Sequence, residues 1–222
     1  METRMIAIKD FPKLPSPFIR TVNENGNYVV TNEIDPNCAW AFGEDVAVLE
    51  KLDGSNTSIV IENGTITSIW NRTERLPFFN KGKSHYIQGV MEAYTRGFCE
   101  LPDGQHWGEL CGEKLSSNPL KITGHLWIPF QTFGMNHLRY KAWGKYPKDF
   151  ETIKKWLFAP IDEGGIFSLF MRMKGIKQKP EGIVFHHLKT GQMCKLRLDM
   201  YSEYYAQNPN VKRHHKKPEE EA

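Results

Sequence analysis

The chain is poor in cysteine, and none of its cysteines are close together. Cys38, Cys99, Cys111 and Cys194 are widely spaced and form no C-x-x-C pair. That spacing argues against a zinc knuckle and against a disulfide framework. No long apolar run follows Met1-Glu2-Thr3-Arg4, so neither a signal peptide nor a transmembrane helix is expected. The expected setting is reducing and intracellular: the cytoplasm, or the host cytoplasm for a viral protein. Charge of one sign is also missing, since 29 Lys and Arg against 26 Asp and Glu leave a formal net charge of +3. Such a balance permits a polyanionic partner but does not demand one. There is no internal repeat.

What is present suits a folded chain. Its 222 residues, 40% of them hydrophobic, are enough for one large domain or two small ones with a substantial core. Residues 1–45 carry Pro12, Pro15, Pro17 and Pro36 and read as short strands and loops, such as Tyr28-Val29-Val30. From Val46 the pattern sharpens. Residues 46–51 read as a buried strand, and residues 57–62 and 65–71 alternate apolar and polar around Asn63-Gly64. Asn-Gly between two such runs predicts a hairpin, because both turn positions favour positive φ.

Residues 84–100 carry Ile87, Val90, Met91, Tyr94 and Phe98 near helical spacing and predict a surface helix. Residues 107–111 and the aromatic-rich 126–133 read as strands, 147–158 and 163–174 as helices. Residues 182–187 and 192–198 predict a second hairpin through Thr190-Gly191. Residues 209–222 read as a disordered charged tail. Mixed strands and helices make this an α+β chain with largely antiparallel sheets.

The candidate chemistry centres on Glu50-Lys51-Leu52-Asp53-Gly54-Ser55-Asn56, a charged turn between two apolar runs. A lysine amine is a nucleophile only when neutral, which calls for desolvation or neighbouring cations. Taken alone, Lys-x-Asp-Gly is an ordinary surface turn. In extended chain Lys51 and Asp53 would face one side, and Gly54 would let backbone approach a ligand closely. Lys195 and Arg197 lie two apart in a strand whose other face is Cys194, Leu196 and Leu198. Two cations on one strand face suit phosphate and would act on a nearby lysine. Glu109, in Trp107-Gly108-Glu109-Leu110-Cys111, suits a ribose hydroxyl, and Glu181, opening an apolar strand, suits a divalent cation. Pairing to a core arginine or to backbone is the plain alternative for both acids. Arg72 ends the first hairpin on the side where Lys51 precedes it. One aromatic of 126–133 suits stacking on a purine.

These pieces occur in a telling order: Lys-Leu-Asp-Gly-Ser-Asn, Asn-Arg-Thr, Gly-Glu-Leu-Cys-Gly, Pro-Phe-Gln-Thr-Phe, Glu-Gly-Ile-Val-Phe and Lys-Leu-Arg. Together they resemble the covalent nucleotidyltransferase superfamily of DNA ligases, RNA ligases and mRNA capping enzymes, over about residues 46–200. The Ser55-Asn56 pair looks most like the nick-sealing branch of the RNA ligases. The resemblance implies a nucleotidyltransferase (ATP-grasp-like ligase) domain of mostly antiparallel sheets with flanking helices over residues 1–208. It implies an ATP-dependent RNA ligase joining 5′-phosphate and 3′-hydroxyl ends, with Mg²⁺ or Mn²⁺. The expected protein is a monomer acting on RNA or a nicked nucleic-acid duplex and not on a membrane.

Residue by residue, the resemblance makes Lys51 the nucleophile on the α-phosphate of ATP, giving lysyl-AMP. Glu50 counts among the nucleotide-binding residues. Asn56 would steady the phosphates or the metal shell, Arg72 would contact the nucleotide and then the 5′-phosphate, and Glu109 would hold the ribose. Phe130 would stack on adenine, ahead of Phe133. Glu181 would help place the metal. Lys195 would grip the α-phosphate and Arg197 orient the leaving group. The family more often has lysine where Arg197 stands, and it usually appends a second domain that the few residues after Arg197 do not supply. A DNA ligase, a capping guanylyltransferase and a nucleic-acid-binding module without catalysis are the competing readings.

Overall fold

A computed structural model describes residues 7–78, 81–143 and 148–211. In chain order the strands are β1 (Phe18–Val22), β2 (Tyr28–Ile34), β3 (Val46–Lys51), β4 (Ser55–Glu62), β5 (Thr65–Asn71), β6 (Glu74–Leu76), β7 (Gly104–Gly112), β8 (His125–Pro129), β9 (Gly182–His187) and β10 (Met193–Arg197). The helices are α1 (Ser84–Thr95), the single turn α2 (Met135–His137), α3 (Phe150–Phe158), α4 (Leu169–Met173) and α5 (Ser202–Gln207). Every described strand pair is antiparallel, so the α+β architecture is the expected one. The chain forms two compact units. One takes residues up to Pro12 and Leu52–Leu138; the other takes Lys13–Lys51 and residues from Arg139 onward.

The first unit is built on a five-stranded sheet in the order β6-β5-β4-β7-β8. Its hairpin turns at Asn63 (φ 52°) and Gly64 (φ 70°), the positive values that make Asn-Gly the fitting pair. Asp103 accepts from both turn amides, at 2.8 and 2.9 Å. Helix α1 packs on β7 and β8. It buries Tyr86, Gly89, Val90 and Ala93, whereas Met91 and Tyr94 of the expected apolar stripe are more than half exposed. Small residues decide this: a methyl group at Gly89 would lie 2.2 Å from Leu110 Cδ1. Close backbone approach selects the face, and the larger apolar side chains turn outward.

Two other expectations need correction. The aromatic run 126–133 is strand only to Pro129; Phe130–Gly134 wind into a π-helical turn. Residues 163–174 are not one helix. Gly164 takes φ 87° and closes a short 3₁₀ turn, and α4 begins only after Ser168, whose hydroxyl caps the Met171 amide at 3.0 Å. Helix α3 starts at Phe150 behind an Asp149 cap, whose carboxylate accepts from the Thr152 amide at 2.9 Å. Pro147, expected at its start, and the tail from Lys212 lie outside the described residues.

The second unit carries the sheet β10-β9-β3 and the ribbon β1-β2. Val48, Ile183, Phe185, Cys194 and Leu196 are fully buried, in a core shared with Phe18, Phe150, Leu157 and Tyr201. All four cysteines are buried free thiols. No described helix is long and apolar enough to cross a membrane.

Candidate active site

The second unit holds the lysine. Register sets the geometry: Gly182 of β9 is opposite Lys51 of β3 on one side and opposite Arg197 of β10 on the other. Directly paired residues share a face, so Lys51 and Arg197 flank Gly182 on the face opposite the core. One step along, Lys195 and Leu49 flank Val184 on that same face. Alternation explains the split, because Cys194 and Leu196 are 0% exposed while Lys195 and Arg197 stay half-buried.

Glu181, the residue before β9, joins this row. Its Oε2 is 2.6 Å from Lys51 Nζ, and its Oε1 is 3.6 Å from Arg197 Nη1. Arg197 Nε in turn lies 2.9 Å from Asp199 Oδ1, close enough for an ion pair though not aligned for a hydrogen bond. Lys51, Glu181, Arg197 and Asp199 therefore alternate in charge. The sequence reading expected cations beside Lys51; the structure sets a carboxylate nearest to it. Asp199 was missed, although an acid two residues after Arg197 was there to be read.

Glu50 points the other way. Being one residue before Lys51, it falls on the core face and is 4% exposed. Its Oε1 accepts from Ser168 Oγ at 2.5 Å and its Oε2 from the Phe170 amide at 2.9 Å. The Glu50 side chain is therefore engaged at the start of α4, on the face opposite Lys51, and not in the row of residues expected to meet the nucleotide. Through that anchor it fixes the end of β3 and so the backbone that carries Lys51.

Burial pushes the Glu50 carboxyl up, against the opposing pull of the Ser168 and Phe170 bonds. With the folded-state value raised, the cost of its charge is absent below the unfolded value and grows as pH rises through the folded one. Glu50→Gln should keep the Phe170 bond through its carbonyl oxygen and reverse the Ser168 bond, its amide donating to Oγ, without the buried charge, and its melting temperature should match or exceed the wild type near neutral pH. Glu50→Ala should lose about 1–3 kcal/mol by leaving Ser168 and Phe170 unpaired. Thermal melting of the two variants checks this, and a glutamine variant as unstable as the alanine one would count against it.

The first unit carries a second row. Asn56 of β4 faces Glu109 of β7, and the Thr57–Asn71 pair sets Arg72, the next residue after β5, alongside Asn56. The Asn56 Oδ1 is buried with no hydrogen-bond partner among the described residues. Arg72 adopts φ 53°, so the chain leaves β5 by a left-handed turn, and its Nη1 lies 3.1 Å from Asp10 Oδ2. Gln105, Trp107 and Glu109 alternate onto one half-open face of β7, with His106, Gly108 and Leu110 buried on the other. Phe130, at the start of the π-helical turn, contacts Phe11, with ring centroids 5.2 Å apart. Phe133 is engaged elsewhere, 4.8 Å from Phe98 and 4.7 Å from His137.

Gly54 is packed against β7. A methyl there would meet the Leu110 carbonyl oxygen at 2.2 Å and Cys111 Sγ at 2.9 Å, so its role is to let the start of β4 close on β7. Asp53 accepts from Ser116 Oγ at 2.8 Å.

The described residues hold no cluster of three or more His, Cys, Asp or Glu side chains able to cage a metal. Glu181 would hold a divalent cation only with phosphate and water as its other ligands, the usual habit of Mg²⁺. No family model and no curated protein matches the chain. Solved structures do. A mutant of Naegleria gruberi RNA ligase with ATP and Mn aligns at a TM-score of 0.51, with 17% identity, over 92% of this chain and 62% of that one. The same ligase with pyrophosphate aligns at 0.49, with 17% identity, over 95% and 63%. The chain thus spans less than two thirds of that ligase's length. On the first of these likenesses, the chain shares the fold of that RNA ligase over the aligned part.

Proposed function

We propose that the protein is an ATP-dependent RNA ligase that works through lysyl-AMP on Lys51. The observation that carries this reading is the row Lys51–Glu181–Arg197, with Lys51 Nζ 2.6 Å from one Glu181 oxygen and Arg197 3.6 Å from the other. A lysine held at a strand end by one carboxylate, with Lys195 and Arg197 on the same sheet face, has the parts that attack on a phosphate requires. The Lys51 amine, having lost its proton, attacks the α-phosphorus of ATP. The Nζ–P bond forms, the bond to the bridging oxygen breaks, and pyrophosphate leaves. Lys195 and Arg197 offset the negative charge on the transferred phosphoryl group and on pyrophosphate. A divalent cation, which Glu181 would hold, supplies further shielding of the triphosphate. AMP then passes to a 5′-phosphate end, and a 3′-hydroxyl displaces it to form the phosphodiester.

In the first unit, Glu109 would accept from ribose hydroxyls and Phe130 would offer its ring to adenine. Asn56, whose buried oxygen lacks a partner among the described residues, would find one in the nucleotide or its hydrated metal. Arg72 would bind phosphate. The preference for RNA over DNA rests on the Ser55-Asn56 pair and on the fold shared with the Naegleria enzyme.

The test is intact-protein mass after incubation with Mg²⁺ and, separately, ATP, GTP or NAD. An AMP adduct with ATP is expected, with none from GTP or NAD. A GMP adduct would favour a capping-type enzyme, and no adduct with any nucleotide would sink the enzymatic reading. Sealing of nicked duplexes with RNA or DNA at the 3′-hydroxyl side then separates RNA from DNA ligase.

A further inference from the structure

Three consecutive residues near the N-terminus, Lys9-Asp10-Phe11, touch residues of the proposed nucleotide face in the first unit. The contacts form a chain. The Lys9 amide donates to Gln105 Oε1 at 2.9 Å, and Gln105 Nε2 donates back to the Lys9 carbonyl at 2.8 Å. Gln105 Nε2 also lies 2.9 Å from Ser58 Oγ, which is 2% exposed, so this clasp is tied into the sheet. Trp107 Nε1 adds a longer bond of 3.4 Å to the same carbonyl. Asp10 then pairs with Arg72 at 3.1 Å. Phe11 sits against Trp107 and Phe130, with centroids 6.2 and 5.2 Å away. Gln105 and Trp107 share their face of β7 with Glu109.

We infer that Asp10 and Phe11 are positioning residues for nucleotide binding, Asp10 orienting the Arg72 guanidinium and Phe11 bracing the Phe130 ring. The inference rests on the functional reading above. Two features favour a brace over a plug that must leave. First, the segment is clasped by reciprocal main-chain bonds to a side chain anchored in the sheet, whereas displaceable segments make few such bonds. Second, Asp10 is a hydrogen-bond partner of one Arg72 nitrogen, Nη1, and guanidinium has five donors in a fixed fork. An arginine just past a strand, in a left-handed turn and 54% exposed, has many rotamers open to it. One carboxylate on one edge narrows them and leaves the other edge for phosphate. Phe11 does the same for a half-buried ring, since tilted aromatic pairs contribute about 0.5–1.5 kcal/mol.

The test measures binding, using α,β-methylene-ATP, which cannot lose pyrophosphate, and inorganic triphosphate as a probe without a base. Asp10→Asn should weaken both by about threefold to fivefold, the range an exposed ion pair supports. Asp10→Glu should restore part of the loss, and in an Arg72→Ala background Asp10→Asn should have no further effect. Phe11→Ala should weaken the ATP analogue by up to about tenfold and leave triphosphate unchanged, with Phe11→Tyr close to wild type. Melting temperatures report whether each variant is folded. Unchanged or tighter binding in folded Asp10→Asn and Phe11→Ala would overturn the inference, tighter binding marking the segment as a self-occupant. If the wild type binds the analogue and the variants match it, the bracing role alone fails. If the wild type binds neither probe, the nucleotide reading fails and the inference with it.

Discussion

Lys51→Arg and Lys51→Ala are both expected to form no AMP adduct, while remaining folded. The arginine variant is the sharper of the two. It keeps a cation for Glu181, whose other oxygen lies 3.6 Å from Arg197, but guanidinium stays protonated and offers no nucleophilic lone pair. The alanine variant removes the 2.6 Å ion pair as well. That pair is 21% and 22% exposed, so its loss should cost at most about 1 kcal/mol. Neither melting temperature should fall far, and binding of a non-reactive ATP analogue should survive in the arginine variant. Intact mass reads the adduct, and an adduct retained in Lys51→Arg would place the nucleophile elsewhere. A second readout isolates the step. If Lys51 makes only the first bond, both variants should still join a strand supplied already adenylylated at its 5′ end to a 3′-hydroxyl. Loss of that joining too would mean Lys51 also serves the last step.

Much of this site was legible in the sequence, for reasons specific to each residue. The two faces of β10 follow from period two, and the Asn63-Gly64 turn follows from the φ values those residues accept. The Lys51–Glu181 pair spans 130 positions and was not foreseen: the order of motifs put both residues in one site, but it set cations beside Lys51 and gave Glu181 to a metal. The setting of Glu50 was missed for the same reason. Its partners Ser168 and Phe170 lie 118 and 120 positions away, and no local pattern shows a carboxylate anchoring the start of a distant helix. Phe130 was expected on a strand because an aromatic run carries strong strand preference, yet chain past Pro129 coils instead. Asp10 and Phe11 lie in a segment with little periodicity, so nothing in it indicated that it would clasp a strand of the first unit. Side-chain type and strand alternation were readable; pairings made by tertiary contact were not.

Gly182→Ala is expected to lower the rate of adduct formation by about 100-fold, the scale on which an ångström of misplacement acts in catalysis. Gly182 is the central member of the row between Lys51 and Arg197. A methyl group on it would lie 2.3 Å from the Leu196 carbonyl oxygen and 2.6 Å from Arg197 Cα. Both are backbone atoms, so no side chain can rotate away, and β10 itself must move. Moving β10 displaces Arg197, and with it Lys195, relative to Lys51 and Glu181. The core face resists the shift, since Cys194 and Leu196 are 0% exposed and close-packed interiors transmit strain. The same conflict should cost about 1–3 kcal/mol of stability. The two effects can be separated by assaying well below the melting transition, where the variant is folded. There the rate of adduct formation at saturating ATP should fall far more than affinity for a non-reactive analogue, because the displaced cations act on the charge that develops during transfer. A wild-type adduct rate together with wild-type affinity in Gly182→Ala would mean that the spacing of β10 from β3 does not matter, and that Lys195 and Arg197 are not held in place for the phosphate. A lowered affinity with the rate at saturating ATP unchanged would mean that they serve binding alone.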